Sequence, residues 1–484
     1  MRHYDAQGLR LIGRELSPPF QLVLDAAPSC RNLTCTAILR HLPGKRLVCT
    51  GHRNHHRPCV AKIFLDPSGC ERHYQRELSG IKALQAARIP TPELLFKGKL
   101  AEGHAPVLLF RHMTAHTDLS KYLASTASAE NHFDALSRAV QAIARLHIAG
   151  LKQRDIHPGN FLLSAGDVMI IDGDDIEAAG AAPLPQKESL SNLALFLAQF
   201  YPSFDTLLPD LVTVYGASRN WTVSQHWQNC VRGETKRWRN WRLKKFLPKT
   251  KRSCTAFHAV KNWRRFIIWD RDWYTPTWQP LIENPDNFIE SGTILKAGNS
   301  ATVAKVTIDS QTVVVKRYNI KDAGHALRRC FRPSRAMVSW ENAHRLRFLG
   351  INTPRPLAVI ERRWGYLRQR AYFIMAHIEG VTLDQTFHEE VRDRQAIEGR
   401  LDELVALLEQ LATARISHGD FKATNFLLSA GRLYLADLDG MRAHRSQASF
   451  RKAFHKDLKR LLRNWQNLPL VNQPLLKRLK QFIG

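Results

Sequence analysis

Two sets of polar residues in this chain share one spacing. Each set has an aspartate, an asparagine five residues later and a second aspartate twelve residues further on: Asp155, Asn160 and Asp172, then Asp420, Asn425 and Asp437. Upstream of each set, a β-branched apolar run carries one lysine, Lys62 in CVAKIF and Lys316 in TVVVKRY. Carboxylate and amide oxygens suit Mg²⁺, and an ammonium group suits phosphate. These residue types in this order favour phosphoryl transfer from ATP, which needs charge neutralisation and in-line positioning more than covalent chemistry.

That chemistry predicts a role for each residue. Lys62 and Lys316 would hold the α- and β-phosphates of ATP, and a glutamate on the next helix, Glu77 or Glu341, would hold each lysine. Glu341 is the weaker candidate because it lies 25 residues after its lysine, whereas Glu77 lies 15 after. Asp155 and Asp420 are the predicted catalytic bases. The predicted metal ligands are Asn160 and Asp172 in the first copy and Asn425 and Asp437 in the second. Asp174 and Asp439 are the alternative metal ligands.

Two short turns are candidates for covering the phosphates. Gly44 lies in RHLPGKR (40–46), and Gly298 lies in KAGNSA (296–301). Neither turn has the GxGxxG pattern, so an ordinary hairpin turn is an equally good interpretation of each.

An internal repeat predicts how these residues are positioned. NFLLSAG occurs at 160–166 and again at 425–431. Each copy has β-rich segments (30–65 and 290–318), a helix (near 71–87 and 335–349), and then a three- and four-residue apolar periodicity (132–147 and 397–412). We therefore predict an α+β protein of two tandem protein-kinase-like domains, each with a small β-rich N-lobe and a larger helical C-lobe.

The predicted boundaries leave two further segments. Residues 1–29 form an N-terminal extension, 30–225 the first kinase-like domain, 226–285 a connector, and 286–484 the second kinase-like domain. The connector region is basic and rich in tryptophan: eight of the 11 tryptophans lie within Trp221–Trp278, and 231–265 hold 13 Lys or Arg and one acid. It resembles interfacial membrane segments and, less well, nucleic-acid surfaces, with a packed connector helix as the simplest alternative.

Composition limits the class of protein. The chain has 484 residues, of which 44% are hydrophobic and 24% charged, and this excludes a wholly disordered or fibrous protein. A net charge of +28 indicates a polyanionic partner. No apolar run is long enough to span a bilayer, and the N-terminus has the features of neither a signal nor a transit peptide.

Eight scattered cysteines without a CxxC pair favour reduced thiols in a cytoplasmic protein. Cys49, His52, His55, His56 and Cys59 could form a zinc site, but their spacing matches no standard tetrahedral set and favours a His-rich loop instead.

The motifs resemble those of the lipopolysaccharide kinase family (Kdo/heptose kinase, InaA-like), over roughly 30–205 and 290–465. QRDIHPGNFLL and HGDFKATNFLL resemble its catalytic loop, IIDGDD and LADLDG its metal loop, and VVVKRYN its small lobe. The resemblance implies ATP- and Mg²⁺-dependent phosphorylation of a heptose or Kdo sugar of the lipopolysaccharide inner core, at the cytoplasmic face of the inner membrane. Family members commonly carry one kinase domain, so two domains and sparse glycine loops are departures.

The short stretch after each metal loop favours a glycan acceptor over a protein. About 15 residues separate Asp172 from the next helical segment, which leaves little room for a peptide-docking activation segment. Two other functions remain open: a scaffold in envelope glycolipid assembly in which one or both copies are pseudokinases, and a nucleic-acid-binding protein. The partners expected are the core glycolipid as acceptor and an anionic membrane surface, ahead of nucleic acid.

Overall fold

The computed structural model describes residues 1–27, 31–53, 58–126, 128–164, 166–180, 182–319, 332–365, 367–389 and 393–483. Two of the candidate zinc ligands named above, His55 and His56, lie outside them. The chain divides into two compact units, Met1–Phe200 with Phe204–Asn240 (unit 1) and Tyr201–Ser203 with Trp241–Gly484 (unit 2).

Unit 1 begins with a seven-stranded sheet in the order β1-β2-β3-β4-β5-β7-β6. Its strands are β1 (Arg2–His3), β2 (Phe20–Val23), β3 (Asn32–Leu42), β4 (Arg46–Arg53), β5 (Pro58–Phe64), β6 (Leu94–Lys99) and β7 (Pro106–Arg111). Helix α1 (Ala6–Leu11) precedes β2, and α2 (Cys70–Ala86) follows β5. On β5, Cys59, Ala61 and Ile63 are buried on one face, so the alternation of the strand turns Lys62 to the other face.

The rest of unit 1 is mainly helical. Its helices are α3 (Leu119–Ser125), α4 (Ala129–Ile148), α5 (Gln186–Leu197), α6 (Leu208–Ser218) and α7 (Gln225–Phe246), whose last turns belong to unit 2. Its short strands are β8 (Thr117–Asp118), β9 (Leu151–Gln153), β10 (Phe161–Leu163), β11 (Val168–Ile170) and β12 (Ile176–Ala178). Strands β8, β10 and β11 form one small sheet, and β9 and β12 another. These short strands frame the two loops that carry Asp155, Asn160 and Asp172.

Unit 2 repeats this plan with a seven-stranded sheet in the order β13-β14-β18-β19-β17-β16-β15. Its strands are β13 (Phe257–Lys261), β14 (Arg265–Asp270), β15 (Thr293–Ala297), β16 (Ala301–Ile308), β17 (Gln311–Tyr318), β18 (Pro356–Trp364) and β19 (Leu367–Ala376). Its first helices are α8 (Gln279–Glu283), α9 (Pro285–Ser291) and α10 (Arg335–Phe348).

The helical part of unit 2 contains α11 (Leu383–Glu389), α12 (Arg394–Thr413), α13 (Gln447–Asn464) and α14 (Pro469–Ile483). Its short strands are β20 (Val381–Thr382), β21 (Ile416–Ser417), β22 (Phe426–Ser429), β23 (Arg432–Leu435) and β24 (Arg442–Ala443). Buried leucines of α12, which recur at helical spacing, pack in the main core of this unit with α13 and α14. The predicted α+β class, with a β-rich lobe before a helical lobe in each half, is confirmed.

The structure corrects two of the predicted segments. Residues 1–29 are not a separate extension, because β2 pairs with β3 and brings the N-terminus into the first sheet. Part of the 226–285 connector likewise belongs to the second sheet, because β14 pairs with β18 along five residues. In both places short strands pair with partners that local sequence does not reveal.

Candidate active site

In unit 1 the predicted lysine, glutamate and metal-loop aspartate meet. Lys62 Nζ donates to Glu77 Oε1 at 2.6 Å and to Asp172 Oδ1 at 3.3 Å. Glu77 is fully buried on α2, and its carboxylate also accepts from the backbone N–H groups of Gly173 and Asp174, both at 3.1 Å. The buried glutamate therefore ties the lysine strand to the metal loop.

The charges of this cluster stabilise one another. Burial alone would lower the pKa of Lys62, but the carboxylates of Glu77 and Asp172 raise it above its usual value. Burial would raise the pKa of Asp172, yet Lys62, with smaller contributions from Glu77 and Arg46, lowers it to about 2. The ammonium group and the Asp172 carboxylate therefore both stay charged across the physiological range, as a phosphate- and metal-binding site requires.

Close backbone packing brings α2 onto the metal loop. A Cβ at Gly80 would lie 2.0 Å from the carbonyl oxygen of Gly173, so only glycine allows this approach. Gly80 lies on the same helix as Glu77, and the short separation lets the glutamate side chain reach both the loop and Lys62.

The catalytic loop of unit 1 is tied to the metal loop. Asn160 is buried, and its Nδ2 donates to the carbonyl oxygen of Asp155 at 3.1 Å. The carbonyl oxygen of Asn160 accepts from the N–H of Ile171 at 2.9 Å. The Asp155 side chain is exposed, and no ion pair joins it to another of the described residues. Since the Asn160 nitrogen is engaged, its side-chain oxygen is the atom available to a metal ion.

Both metal-loop aspartates take an unusual backbone conformation. Asp172 has φ +74° and Asp437 has φ +58°, the left-handed region that non-glycine residues rarely adopt. Such strain persists where surrounding contacts impose it, often at functional sites. The alternative ligand Asp174 is already engaged, since its carboxylate contacts Arg46 at 2.7 Å and His73 at 2.9 Å. The geometry favours Asp172 over Asp174 as the residue left for a metal.

In unit 2 the lysine also reaches the metal loop, but without the predicted glutamate. Lys316 Nζ contacts Asp437 and lies 3.7 Å from Asp439 Oδ2 and 5.0 Å from the centre of the Tyr318 ring. Burial would lower the pKa of Lys316, whereas Tyr318, Asp437 and Asp439 raise it above its usual value. Asp439 is further engaged by Arg335, whose Nε lies 2.8 Å away.

The prediction that Glu341 pairs with Lys316 is wrong. Its carboxylate instead contacts Lys251 and Arg345 on the same unit. Arg88 and Gly350, which follow the ends of α2 and α10, both have a positive φ and mark equivalent points in the two units. Counting back the same number of residues from each places Ser339 of α10 at the position of Glu77 in α2.

Ser339 and its neighbours replace the glutamate arrangement. The Ser339 hydroxyl lies 2.8 Å from the Tyr318 hydroxyl, in a buried hydrogen bond. Where unit 1 has the Gly80–Gly173 approach, unit 2 has Asn342, whose Nδ2 donates to the carbonyls of Leu438 and Met441, both at 3.0 Å. In unit 2 the Asn342 side chain therefore connects the helix to the metal loop, whereas in unit 1 the two backbones are in direct contact.

The catalytic loop of unit 2 has the same frame and different charges. Asn425 Nδ2 donates to the carbonyl oxygen of Asp420 at 2.9 Å, and the Asn425 carbonyl accepts from Ala436 N at 2.8 Å. The Asp420 carboxylate contacts Arg460 at 2.7 Å and Lys422 at 3.2 Å. Asp420 is therefore flanked by two cations, unlike Asp155.

The residues that anchor these loops from the next helix were not predicted from the sequence. In unit 2, Asp457 on α13 accepts from the N–H groups of His418 (2.7 Å) and Gly419 (3.0 Å). In unit 1, Asn192 on α5 donates to the carbonyl oxygen of Gln153 at 2.9 Å. The 265-residue offset between Asp155 and Asp420 also relates these two residues, so the repeat carried the signal that could have found them.

The residue before each loop reaches the metal loop in both units. Gln153 Nε2 donates to the carbonyl of Ile171 at 3.1 Å, and His418 Nε2 lies 2.9 Å from the carbonyl oxygen of Ala436. His418 therefore serves as a hydrogen-bonding group between the two loops.

The candidate phosphate-covering glycines, Gly44 and Gly298, each lie in a turn, and the lysine of each unit is on the second strand after that turn. Gly44, with φ +67°, is in the turn between β3 and β4, where Lys45 N donates to the Leu42 carbonyl at 2.9 Å. Gly298 is in the turn between β15 and β16, and its carbonyl accepts from Asn319 Nδ2 at 3.2 Å. Phosphate covering by these turns stays a prediction.

The possible zinc ligands Cys49 and Cys59 lie on neighbouring strands, β4 and β5. Within the described ranges, no three His, Cys, Asp or Glu side chains are placed to share a metal ion. Each site above would offer Mg²⁺ one carboxylate and one amide oxygen, which is usual for an ion that is also bound by substrate phosphates.

The fold and the two lysine–aspartate sites together define a protein-kinase-like phosphotransferase. The model of the Lipopolysaccharide kinase (Kdo/WaaP) family matches residues 65–198 and 290–481, and the chain belongs to this family. No curated protein matches the chain significantly in sequence.

Solved structures of the PknI kinase domain of M. tuberculosis, and of a mutant of that domain, are also similar. They are 15% and 16% identical to this chain, cover 42% and 43% of it and 96% and 99% of their own length, and have TM-scores of 0.27 and 0.28.

Proposed function

We propose that this protein is an ATP- and Mg²⁺-dependent kinase of a heptose or Kdo sugar in the lipopolysaccharide inner core. It would act at the cytoplasmic face of the inner membrane, as a cytoplasmic protein bound peripherally there. The observation that carries the proposal is that a strand lysine contacts the metal-loop aspartate in each unit, Lys62 with Asp172 and Lys316 with Asp437. Family membership supports the kinase activity and the class of acceptor.

The residues present fit a metal–nucleotide. The candidate metal ligands are Asn160 and Asp172 in unit 1 and Asn425 and Asp437 in unit 2. Each asparagine has its nitrogen engaged by the catalytic loop, and each lysine stays positively charged beside its aspartate. Bound Mg²⁺ would neutralise phosphate charge.

Asp155 and Asp420 would orient the acceptor hydroxyl and take its proton. Asp155 is exposed, so a hydroxyl can approach it directly. Asp420 is held by Lys422 and Arg460, which offer cations to an anionic acceptor. Phosphates and carboxylates of the lipopolysaccharide core would suit such a site.

Short connections support a glycan acceptor. Helix α5 begins 14 residues after Asp172, and α13 begins 10 residues after Asp437. Segments this short leave little chain to form a peptide-docking platform.

Peripheral membrane attachment rests on charge. None of the helices in the described parts of the chain is both long and apolar enough to cross a membrane. The net charge of +28 favours an anionic surface. The apolar residues at the end of α7 and just after it are mostly packed, since Leu243 and the following Leu247 are buried and Phe246 stacks on Phe348.

Transfer of radiolabel from γ-labelled ATP to purified core glycolipid tests the proposal. Asp155→Asn and Asp420→Asn each remove one carboxylate with little change of shape, and we expect the double variant to lose about 100-fold or more of the rate. A single variant that retains activity would assign catalysis to the other unit. Full transfer by the double variant would refute the assignment of the catalytic bases.

A second candidate function, binding without catalysis, is favoured for unit 2 by one observation. Ser339 stands where unit 1 has the glutamate that holds the lysine. If unit 2 only binds nucleotide, ATP and Mg²⁺ should raise its thermal stability while Asp420→Asn leaves transfer unchanged.

A further inference from the structure

Two exposed tryptophans mark a surface of unit 2 outside the candidate site. Trp263, in the turn between β13 and β14, has 65% of its surface exposed, and Trp364, at the end of β18, has 64% exposed. Leu367, which opens β19, is 39% exposed. Exposed apolar side chains that cluster, rather than lie scattered, mark an interaction surface.

Hydrogen bonds hold the two hairpin tips side by side. The N–H of Arg363 donates to the Arg264 carbonyl at 2.7 Å, and the N–H of Gly365 donates to the Trp263 carbonyl at 3.0 Å. The Trp263 ring lies over Gly365, where an added Cβ would come within 2.8 Å of it. The tryptophans therefore project from an ordered base.

The charges around the tips are almost all positive. The basic residues of the two tips are Lys261, Arg264, Arg265, Arg362, Arg363, Arg368 and Arg370, and the one acid there, Glu361, is buried. Arg362 and Arg370 both form ion pairs with Asp286, with Nη1 to Oδ2 distances of 3.4 and 3.5 Å. Lys261, Arg264 and Arg265 form no ion pair with any carboxylate of the described residues.

We infer that this surface, formed by Lys261, Trp263, Arg264, Arg265, Trp364 and Leu367 and here termed the tryptophan platform, docks the protein onto an anionic lipid bilayer. Indole rings prefer the headgroup region, leucine inserts slightly deeper, and unpaired cations bind anionic headgroups. The inference rests on the proposed membrane location and names the residues responsible.

Helix α7 offers a less suitable surface than the tryptophan platform. Its exposed tryptophan, Trp241, has the Lys245 ammonium 5.6 Å from its ring centre, and Arg242 lies over Phe348. The neighbouring apolar residues, Leu243 and Leu247, are buried. This helix presents charge to solvent but little apolar surface for insertion.

Co-sedimentation of the full chain with vesicles tests the platform. The vesicles contain equal parts of phosphatidylcholine and phosphatidylglycerol, or phosphatidylcholine alone. We expect binding to the anionic vesicles only, with about a tenfold or greater loss in a Trp263→Ala, Trp364→Ala variant. Lys261→Gln, Arg264→Gln, Arg265→Gln should weaken partitioning by about 100-fold.

The matched control is Arg242→Gln, Lys244→Gln, Lys245→Gln on α7, which removes the same charge and should change binding by less than about threefold. Circular dichroism checks that each variant folds, and Trp364→Phe, which keeps an aromatic ring, should retain most of the binding. Loss of binding in the α7 variant alone would overturn the proposal. So would platform variants that bind vesicles normally but lose salt-sensitive binding to single-stranded DNA.

Kinase activity provides a separate readout. Platform variants should phosphorylate a delipidated, soluble core oligosaccharide at the wild-type rate. If wild-type protein binds vesicles through the platform but transfers no phosphate, the proposed activity fails and the docking surface stands. If transfer proceeds and platform variants still bind vesicles fully, the docking inference fails alone.

Discussion

The two candidate sites follow the same backbone course but hold their lysines differently. In unit 1 a buried glutamate, Glu77, grips Lys62 and two N–H groups of the metal loop. In unit 2 the corresponding position is Ser339, and Lys316 contacts Asp437 directly and lies over Tyr318. A lysine can thus be placed beside a metal-loop aspartate either through a helix carboxylate or through the loop carboxylates themselves.

For the side chains that support the catalytic loops, the charged residue is in unit 2 and the neutral residue is in unit 1. Unit 2 uses a carboxylate, Asp457, which accepts two backbone N–H groups, whereas unit 1 uses an amide, Asn192, which donates to a backbone carbonyl. Each site therefore has one charged anchor and one neutral substitute. This reciprocal arrangement shows that geometry is maintained while the distribution of buried charge differs.

The largest expected effect tests the charged anchor of unit 1. Lys62→Met should lower the free energy of unfolding by about 3–5 kcal/mol, because it leaves the buried Glu77 carboxylate without its cation. Urea unfolding followed by circular dichroism measures the loss. Lys62→Met combined with Glu77→Leu should recover most of it, and an equally unstable double variant would contradict the account.

Lys316→Met is the matched change in unit 2, and it should lower the free energy of unfolding by less than Lys62→Met does. Asp437 is partly exposed, and Asp439 keeps its contact with Arg335. A loss in unit 2 as large as that of Lys62→Met would show that the two lysines are held equally.

Exchanging the loop anchors should cost about 2 kcal/mol in each unit. In Asp457→Asn, one amide oxygen replaces two carboxylate oxygens that accept from His418 and Gly419. In Asn192→Asp, a carboxylate would face the Gln153 carbonyl oxygen, which now accepts a hydrogen bond at 2.9 Å. Thermal unfolding measures both, and a neutral Asn192→Asp would contradict the assigned orientation of this amide.

Glu77 and Glu341 should differ in their effect on activity. In an Asp420→Asn background, Glu77→Gln should lower kcat/KM of phosphate transfer by about tenfold, since it removes one charge–charge contact from the phosphate-binding lysine. In an Asp155→Asn background, Glu341→Gln should leave kcat/KM within about twofold, because its partners are Lys251 and Arg345. Equal losses would reinstate Glu341 as the partner of Lys316.

Acid should destabilise both units through buried neutral histidines. Burial lowers the pKa of His147 to about 4 and that of His344 to about 3. Because these folded-state values lie below the unfolded value near 6.5, the stabilisation is complete above pH 6.5 and is lost as pH falls toward the folded values. Between pH 7 and 5.5 we expect each histidine to lower the free energy of unfolding by about 1 kcal/mol.

The pH dependence can be assigned to each unit by substitution. His344→Phe should flatten it for unit 2, where the ring packs against Trp340 and Phe257. Unfolding free energies at the two pH values check this, and an unchanged slope in the variant would exclude His344.

Much of the fold could be predicted because its signals are local. The periodicity at 132–147 and 397–412 corresponds to helices Ala129–Ile148 and Arg394–Thr413. Lys62 and Glu77 could be paired because a short turn joins β5 to α2, so the strand and helix are close in sequence as well as in space.

The rest depended on contacts that local sequence does not encode. Glu341 was misassigned because the segment between β17 and α10 is longer than its counterpart, so distance from the lysine does not give the helix register. Asp457 and Asn192 lie on later helices, each 39 residues after the residue whose backbone it bonds. The first strands, β1 and β2, are short, and their pairing fixes them more than their composition does.

Mass spectrometry of purified core glycolipid tests the central claim most directly. After incubation with the protein, ATP and Mg²⁺, the account predicts a gain of about 80 Da, or a multiple of it, on an inner-core sugar. The Asp155→Asn, Asp420→Asn double variant should leave the glycolipid mass unchanged. An unmodified glycolipid in the presence of folded, ATP-binding wild-type protein would contradict the claim that these sites phosphorylate a lipopolysaccharide sugar.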